Sequence, residues 1–517
     1  MNRLFTFLTL FFLIFFSAQT CPAQTKLHLI ATMTGDSVGD GFDVVSSIGD
    51  VNGDGYNDIL IGAPQGNYAK LFFGGKTLDT IPDMIFHCEQ VLSRFGWSIA
   101  GGQDINGDGY PDFVIGAPYY WDGGKPLGNP ESGKIYVYFG GPSLDTIPNA
   151  TMLQVWPYYD FGYSVTLGDI NGDGYADIIV GANNDEIDAH GRVYIYYGGK
   201  QLHADPDLVL EGTGSGDTFG SSLFYAGDVN KDGYGDFLVG APQNLLTLSR
   251  FKGGKAYLFY GGNDIGFPNS TLFVGDTIPP GQFGRIVTGL GDVNQDGSND
   301  FAIMGLTKIN LILGKAKVDT LPALVLHPDR DFWFVGGVGD LDQDGFADIV
   351  VISDSVRLYS GRGLLNGMPP IATQAWAMSV CGLGDVNGDG NIELAFSYNQ
   401  NYGADGPGKV NIYEVDGPTA IPEHHGSSSP QIFSLLQNYP NPFNGETTIE
   451  FEIEKTEFVS LELYNSLGEQ VRTLIHSIVG GGKHSFQLKA DDLPSGIYFY
   501  RLHAGVRTDS KKIVLLR

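Results

Sequence analysis

The phrase "DVNGDGYND", from Asp50 to Asp58, puts oxygen-bearing side chains at Asp50, Asn52, Asp54 and Asp58. Counted from the first aspartate, these are positions one, three, five and nine. Glycine at six permits a tight reversal, and position seven, Tyr56, can add its backbone carbonyl. Six to eight oxygens at flexible distances are what calcium requires, whereas magnesium demands a stricter octahedron. Zinc prefers the imidazole and thiolate ligands that the phrase lacks. An EF-hand loop would end in Glu at position twelve and lie between helices. Here the last acid stands at nine, and the apolar, strand-like run "ILIGAP" follows.

The phrase recurs six times. The further ligand sets are Asp104, Asn106, Asp108, Tyr110 and Asp112, then Asp169, Asn171, Asp173, Tyr175 and Asp177, then Asp228, Asn230, Asp232, Tyr234 and Asp236. They continue with Asp292, Asn294, Asp296, Ser298 and Asp300, with Asp340, Asp342, Asp344, Phe346 and Asp348, and with Asp385, Asn387, Asp389, Asn391 and Glu393. One copy could be no more than an Asx-turn in a hairpin. Seven copies with acids at the same places point to up to seven structural calcium ions. The Asp340 copy gains a carboxylate at position three. The Asp385 copy ends in the longer Glu393 and is expected to be the weakest site. Six copies carry three acids and one carries four, so 22 of the 59 acidic residues lie in these loops. The net charge of -29 argues against nucleic acid or an anionic membrane as partner and suits a protein that binds cations.

The loops need a frame to hold them. Before the first five copies stands a Phe, in "GFDVVSS", "FGWSIA", "FGYSVT", "FGSSLF" and "FGRIVT". After each copy comes a short apolar strand, then an alternating one such as "KIYVYFGG" or "RVYIYYGG", then a fourth stretch such as "LVLEGT". Four short strands per unit, punctuated by glycine, are the pattern of a propeller blade. The second strand, apolar on both faces, is expected to lie between neighbouring blades. The fold class that follows is all-β: a seven-bladed propeller over residues 25–416, a Pro/Gly/Ser linker over 417–430 and a small Ig-like β-sandwich over 431–517.

The N-terminus, "MNRLFTFLTLFFLIFFSAQTCPAQ", has one basic residue and then an apolar core too short to span a bilayer comfortably. Residues 1–23 are therefore expected to be a signal peptide. No other run is long enough for a membrane span. If Cys21 leaves with the signal, only Cys88 and Cys381 remain, too few for a disulfide framework. The chain shows no "HExxH", no "GxSxG" and no paired Cys/His constellation, so no catalytic residues are assigned. His424 and His425 fall in the linker.

Units one to four resemble the FG-GAP repeat of integrin α-chain propellers and their bacterial relatives. Units five to seven lose "GAP", and six and seven also lose "FG", with Phe332-Trp333 and Trp376-Ala377 standing in. The resemblance implies calcium in the acidic loops. The tail pieces "NYPNPF" (Asn438–Phe443), "LYNSLGEQV" (Leu463–Val471), "SGIYFYRL" (Ser495–Leu502) and the final "KKIVLLR" are similar to the C-terminal sorting domain of the type IX secretion system. That implies the type IX machinery as a partner through residues 431–517, and a product secreted or attached at the outer cell surface.

In such a blade the loops opposite the acidic one join strands two to three and link four to the next blade's one. There the chain places Tyr119, Tyr120, Trp121 and Asp122, the "QVWPYYDFG" link with Trp156, Tyr158 and Tyr159, and Asn184 with Asp185. Aromatics among acids and amides on loops of a rigid scaffold suggest a surface for an extracellular glycan or protein ligand. The function expected is adhesion or ligand binding. The alternatives are a polysaccharide hydrolase or lyase, and a passive envelope component.

Overall fold

The computed structural model describes residues 27–515 apart from 122–132, 155–159, 184–189, 215, 244–252, 276–280, 328–333, 366–369, 375–376, 399–406, 416–433, 437, 454–456, 466–469, 491–492 and 505–506. The expected signal peptide and linker lie outside the described residues. So do Asp122, Trp156, Tyr158, Tyr159, Asn184 and Asp185.

Seven four-stranded antiparallel sheets follow one another along the chain. Blade one is built from Val44–Gly49, Asp58–Ala63, Tyr68–Phe72 and Met84–His87 in spatial order. Blades two to six repeat this order. Blade seven differs: its strands Ser379–Gly384, Glu393–Tyr398 and Pro407–Val415 are completed by Leu27–Val38 from the chain's beginning. Leu27 pairs with Val415, and the ladder runs on to Val38 opposite Pro407. The ring is thus closed by residues that sequence periodicity leaves outside any repeat.

The apolar second strands are wholly buried, as in Asp58–Ala63, Asp112–Ala117 and Asp177–Asn183. The reason lies in where the cores sit. Each core is shared by two blades. Ile105, Val114 and Val137 of blade two, for example, pack with Phe161, Val165 and Val180 of blade three. The set closes on itself, because Ile59, Ile61 and Phe72 of blade one pack with Leu383, Ala395 and Ile412 of blade seven. The repeat's phenylalanines, Phe42, Phe95, Phe161, Phe219 and Phe283, are buried at these seams. Each contributes roughly 1.5–3 kcal/mol by burial.

The two marks of the repeat, "FG" and "GAP", are halves of one contact between blades. A Cβ on Gly62 of blade one would lie 2.2 Å from the carbonyl oxygen of Gly96 in blade two. Gly116 meets Gly162, Gly181 meets Gly220 and Gly240 meets Gly284 in the same way, at 2.1–2.3 Å. In the same register blades five, six and seven carry Met304, Ile352 and Ser397. The next blade then has no glycine after its aromatic: Trp333, Ala377 and Asp43 stand there. The repeats therefore lose both marks together, seam by seam.

The tail forms two further sheets. One joins Ser434–Leu435, Glu446–Ile453 and Gly482–Lys489, and the other joins Gln470–Val479, Glu457–Asn465, Gly496–Ala504 and Arg507–Leu515. A single core takes Ile449, Phe451 and Ile453 from the first, and Val459, Leu461, Tyr500 and Leu502 from the second. The pieces "NYPNPF" and "KKIVLLR" meet. The Asn441 side-chain amide donates to the Lys512 carbonyl at 3.0 Å, and its oxygen accepts from the Val514 N–H at 2.9 Å.

Candidate functional site

Each acidic loop joins the first and second strands of its blade. In blade one, both oxygens of Asp50 accept backbone N–H groups, from Gly53 at 2.7 Å and Gly55 at 2.7 Å. The Asn52 oxygen accepts the Asp54 N–H at 2.8 Å, and Asp54 Oδ1 accepts the Tyr56 N–H at 3.0 Å. Positions one, three and five are thus held by the loop's own amides. Blades two, three and seven repeat these bonds, for instance from Gly109 to Asp104 and from Tyr175 to Asp173, whereas in blades four to six the position-five N–H, of Asp232, Asp296 or Asp344, replaces that of position four at the first aspartate. The first, third and fifth side chains stay accessible at the surface, and the ninth is buried.

Position nine does more than the sequence suggests. Asp58 is fully buried. Its Oδ2 accepts the Val51 N–H at 2.9 Å, and its Oδ1 accepts the Gly74 N–H at 2.8 Å, from the turn after the third strand. Asp112, Asp177, Asp236, Asp300 and Asp348 make the same two bonds to position two and to Gly140, Gly198, Gly261, Gly314 and Gly361. This carboxylate therefore ties the loop to the far hairpin of its own blade. Glu393 bonds the Val386 N–H at 2.9 Å and the Asn387 side chain at 3.0 Å instead. There the third strand, Pro407–Val415, is itself the closing strand's partner, and Val415 still pairs with Leu27.

Burial pushes these carboxyls up to about 7, against the backbone bonds that pull them down, with the position-five and position-one charges adding to the rise. Glu393 is raised to about 7 in the same manner. Asp348 is pushed up to about 8 by burial and then by Asp342. Asp342, in the loop with four acids, rises to about 6 through burial and the Asp344 charge. Among the described residues, Asp340, Asp342 and Asp348 form the cluster in which each acid offers an oxygen within 4.8 Å of the others. The donor set is all oxygen, several carboxylates deep, with no His or Cys. Those residues fit a hard divalent cation of the calcium kind. A cation there would offset the charge that burial disfavours.

The opposite end of the blades carries different chemistry. Trp97 and Tyr119 stack with ring centres 6.1 Å apart, and Trp97 lies 5.4 Å from Tyr163. The Arg94 guanidinium sits 5.9 Å over the Tyr119 ring. Of the aromatics expected on this face, Tyr119 joins this row. Tyr120 instead packs against the core between blades one and two, with the Lys134 ammonium 4.7 Å above its ring. The Trp121 backbone is clamped at both ends by Gln90, at 2.8 Å each way. Trp97 and Tyr163 were not expected. Both follow an "FG", the position at which a side chain leaves the seam. Beside them the link between blades one and two exposes Val91 and Leu92, and Leu92 has a left-handed backbone, φ 65. Its base is braced: Ser93 Oγ donates to Asn67 Oδ1 at 2.6 Å, and Asn67 Nδ2 donates to the Gln90 carbonyl at 2.8 Å. Glu89 is buried enough to raise its pKa, but hydrogen bonds from Lys134, from the backbone and from Tyr136 prevail and hold it down at about 2. Cys88 and Cys381 are unbridged thiols.

Seven sheets in a closed ring, each with an acidic loop at one end, make this an all-β propeller with a separate β tail. The repeats and the tail name its kind. Residues 44–76, 95–138, 161–196 and 219–259 match the FG-GAP repeat, and residues 340–396 match the FG-GAP-like repeat. Residues 437–516 match the secretion system C-terminal sorting domain. The chain thus carries FG-GAP repeats, over which it is similar to integrin α chains, and a secretion system C-terminal sorting domain. Integrin alpha-7 of Homo sapiens is 35% identical over 218 residues, 41% of this chain and 18% of the integrin. Integrin alpha-V of Gallus gallus is 35% identical over 208 residues, 38% of this chain and 19% of the integrin. The chain thus spans about a fifth of the length of these curated relatives. A solved structure of BBS1N in complex with ARL6DN aligns with a TM-score of 0.46 at 10% identity, over 75% of this chain and 97% of that one. Among the described residues, no helix is long and apolar enough to cross a membrane.

Proposed function

We propose that this protein is a secreted or surface-attached, calcium-binding propeller that recognises an extracellular ligand and does no chemistry on it. One observation carries the reading: the two ends of the blades are chemically segregated. One end holds the repeated oxygen-rich loops. The other holds the row of Tyr163, Trp97 and Tyr119 and the braced tip at Val91 and Leu92. Calcium at the first end would be held by positions one, three, five, seven and nine of each loop, and it would supply positive charge to buried carboxylates. Its role is structural, fixing the hairpins from which the blades hang. Binding falls to the second end, where rigid aromatic faces cost little entropy to engage.

The chain divides into a signal peptide over residues 1–23, the propeller over 25–416, a linker over 417–430 and the sorting domain over 431–517. The type IX machinery reads that last segment. A chain truncated before Gln431 should accumulate in the periplasm, and its normal export would count against the address. For the ligand face, Trp97→Ala with Tyr119→Ala should abolish binding on glycan and extracellular-protein arrays that the unaltered, calcium-loaded protein gives. Equal binding by the double variant would refute the assignment. Release of products from a glycan would favour the hydrolase or lyase alternative, and silence in both assays a passive envelope role.

A further inference from the structure

We infer that the acidic loops bind cations as a coupled arc, not as seven independent sites, and that the position-seven tyrosines Tyr56, Tyr110, Tyr175 and Tyr234 carry the coupling. This rests on the reading of the loops as cation sites and says how those sites communicate.

The observation is a contact between loops. Each of these tyrosine rings lies on the position-four glycine of the preceding blade's loop. A Cβ on Gly388 would fall 2.4 Å from Tyr56 Cε1, and one on Gly53 would fall 2.5 Å from Tyr110 Cε1. Gly107 meets Tyr175 at 2.3 Å and Gly172 meets Tyr234 at 2.7 Å on the same measure. The touched glycine is the residue whose N–H orients the position-one carboxylate, as Gly53 donates to Asp50 at 2.7 Å. The tyrosine's own N–H orients the position-five carboxylate of its own loop, as Tyr110 donates to Asp108 at 3.0 Å. One residue therefore touches the ligand frames of two neighbouring sites. Backbone bonds run alongside: Asn57 N–H donates to the Asp385 carbonyl at 3.1 Å, and Ala176 N–H donates to the Asp104 carbonyl at 2.8 Å.

The ring supplies its own control. Four loops with glycine at position four face tyrosine. Where position four is Lys231, Gln295 or Gln343, the facing residue is Ser298, Phe346 or Asn391. At the first of these junctions Lys231 reaches over and donates to the Asp296 carbonyl at 2.6 Å. Its ammonium stands 4.0 Å from Asp296 Oδ1. The Ser298 hydroxyl is buried there and, among the described residues, has no hydrogen-bond partner. The tyrosine contacts thus join the loops of blades seven, one, two, three and four. The loops of blades five and six stand outside that arc.

A cation that orders one ligand set in the arc presses on its neighbour's frame through the ring, so neighbouring sites fill together. The test is a calorimetric titration of the full chain with calcium chloride. The unaltered protein should show a steep phase, with a Hill coefficient above one, and a separate non-cooperative phase. Tyr110→Ala should flatten the steep phase and weaken it at least about fivefold. Tyr110→Phe keeps the ring and should keep the steepness. Lys231→Gly combined with Ser298→Tyr installs the missing contact and should add ions to the steep phase. Melting in saturating calcium checks that each variant is folded. If Tyr110→Ala does not fold, the Lys231→Gly, Ser298→Tyr pair decides alone. Steepness unchanged in Tyr110→Ala, or lost equally in Tyr110→Phe, overturns the coupling while leaving the cation sites standing. The coupling is also overturned if the added contact leaves the phases as they were. No heat of calcium binding by the unaltered protein overturns the cation reading itself.

Discussion

Chelating calcium should cost this propeller a large and pH-dependent share of its stability. Take a site dissociation constant of about 10⁻⁴ M, as for extracellular calcium modules, and calcium at about 1 mM. Each site then adds roughly 1.4 kcal/mol, and seven add about 10 kcal/mol. Unfolding entropy of about 2.1 cal/mol/K per residue, over roughly 390 propeller residues, is about 0.8 kcal/mol/K. Chelation at pH 8 should therefore lower the melting temperature by about 12 °C. The pH dependence comes from the position-nine carboxyls, raised from 3.8 to about 7 by burial. Because the folded form binds these protons more tightly than the unfolded chain does, stability without metal is highest near pH 4 and is lost as pH rises through about 7. At pH 5 the proton already does part of the cation's work. The drop on chelation should then shrink to a few degrees. Calorimetric scans with calcium and with chelator, at pH 5 and pH 8, give all four numbers. An unchanged melting temperature at pH 8 would mean that calcium does not stabilise the propeller, and an equal drop at both pH values that the position-nine carboxyls do not exchange proton for cation.

Three other perturbations follow from particular contacts. Asp342→Asn removes one of three clustered carboxylates in blade six; in chelator it should stabilise by about 1 kcal/mol, allowing for solvent screening, while weakening calcium at that loop. Gly62→Ala drives a methyl group onto the Gly96 carbonyl and should cost about 1–3 kcal/mol in urea unfolding. Deleting residues 27–38 strips the outermost strand from blade seven and bares the edge of Pro407–Val415. The product should lose its single cooperative melt and associate on size-exclusion chromatography.

What could be read from the sequence was whatever lies within one blade. The alternation of strands, the oxygen positions of the loops and the all-buried second strand are local patterns, and the structure has them where the repeats put them. Contacts between blades were not legible. "FG" and "GAP" looked like separate marks because Gly62 and Gly96 belong to different units. The tyrosine at position seven looked like a carbonyl donor, since nothing local shows that its ring rests on the previous loop. Asp58 looked like one more ligand, because its second partner, Gly74, lies a full hairpin away. The closing strand Leu27–Val38 carries no repeat signature, and only ring closure gives it a place. On the opposite face, Tyr120 and Trp121 drew notice as part of an aromatic run, yet Trp97 and Tyr163 complete the row with Tyr119. Their signal was present in "FGWS" and "FGYS", where the residue after the seam glycine is free to be large.

Everything proposed for the acidic loops rests on their being cation sites. Native mass spectrometry of the full chain, sprayed from millimolar calcium and again after chelation, tests it most directly. The mass should rise by up to seven calcium ions, and chelator should remove that increment. A chain that keeps its bare mass in millimolar calcium would contradict it.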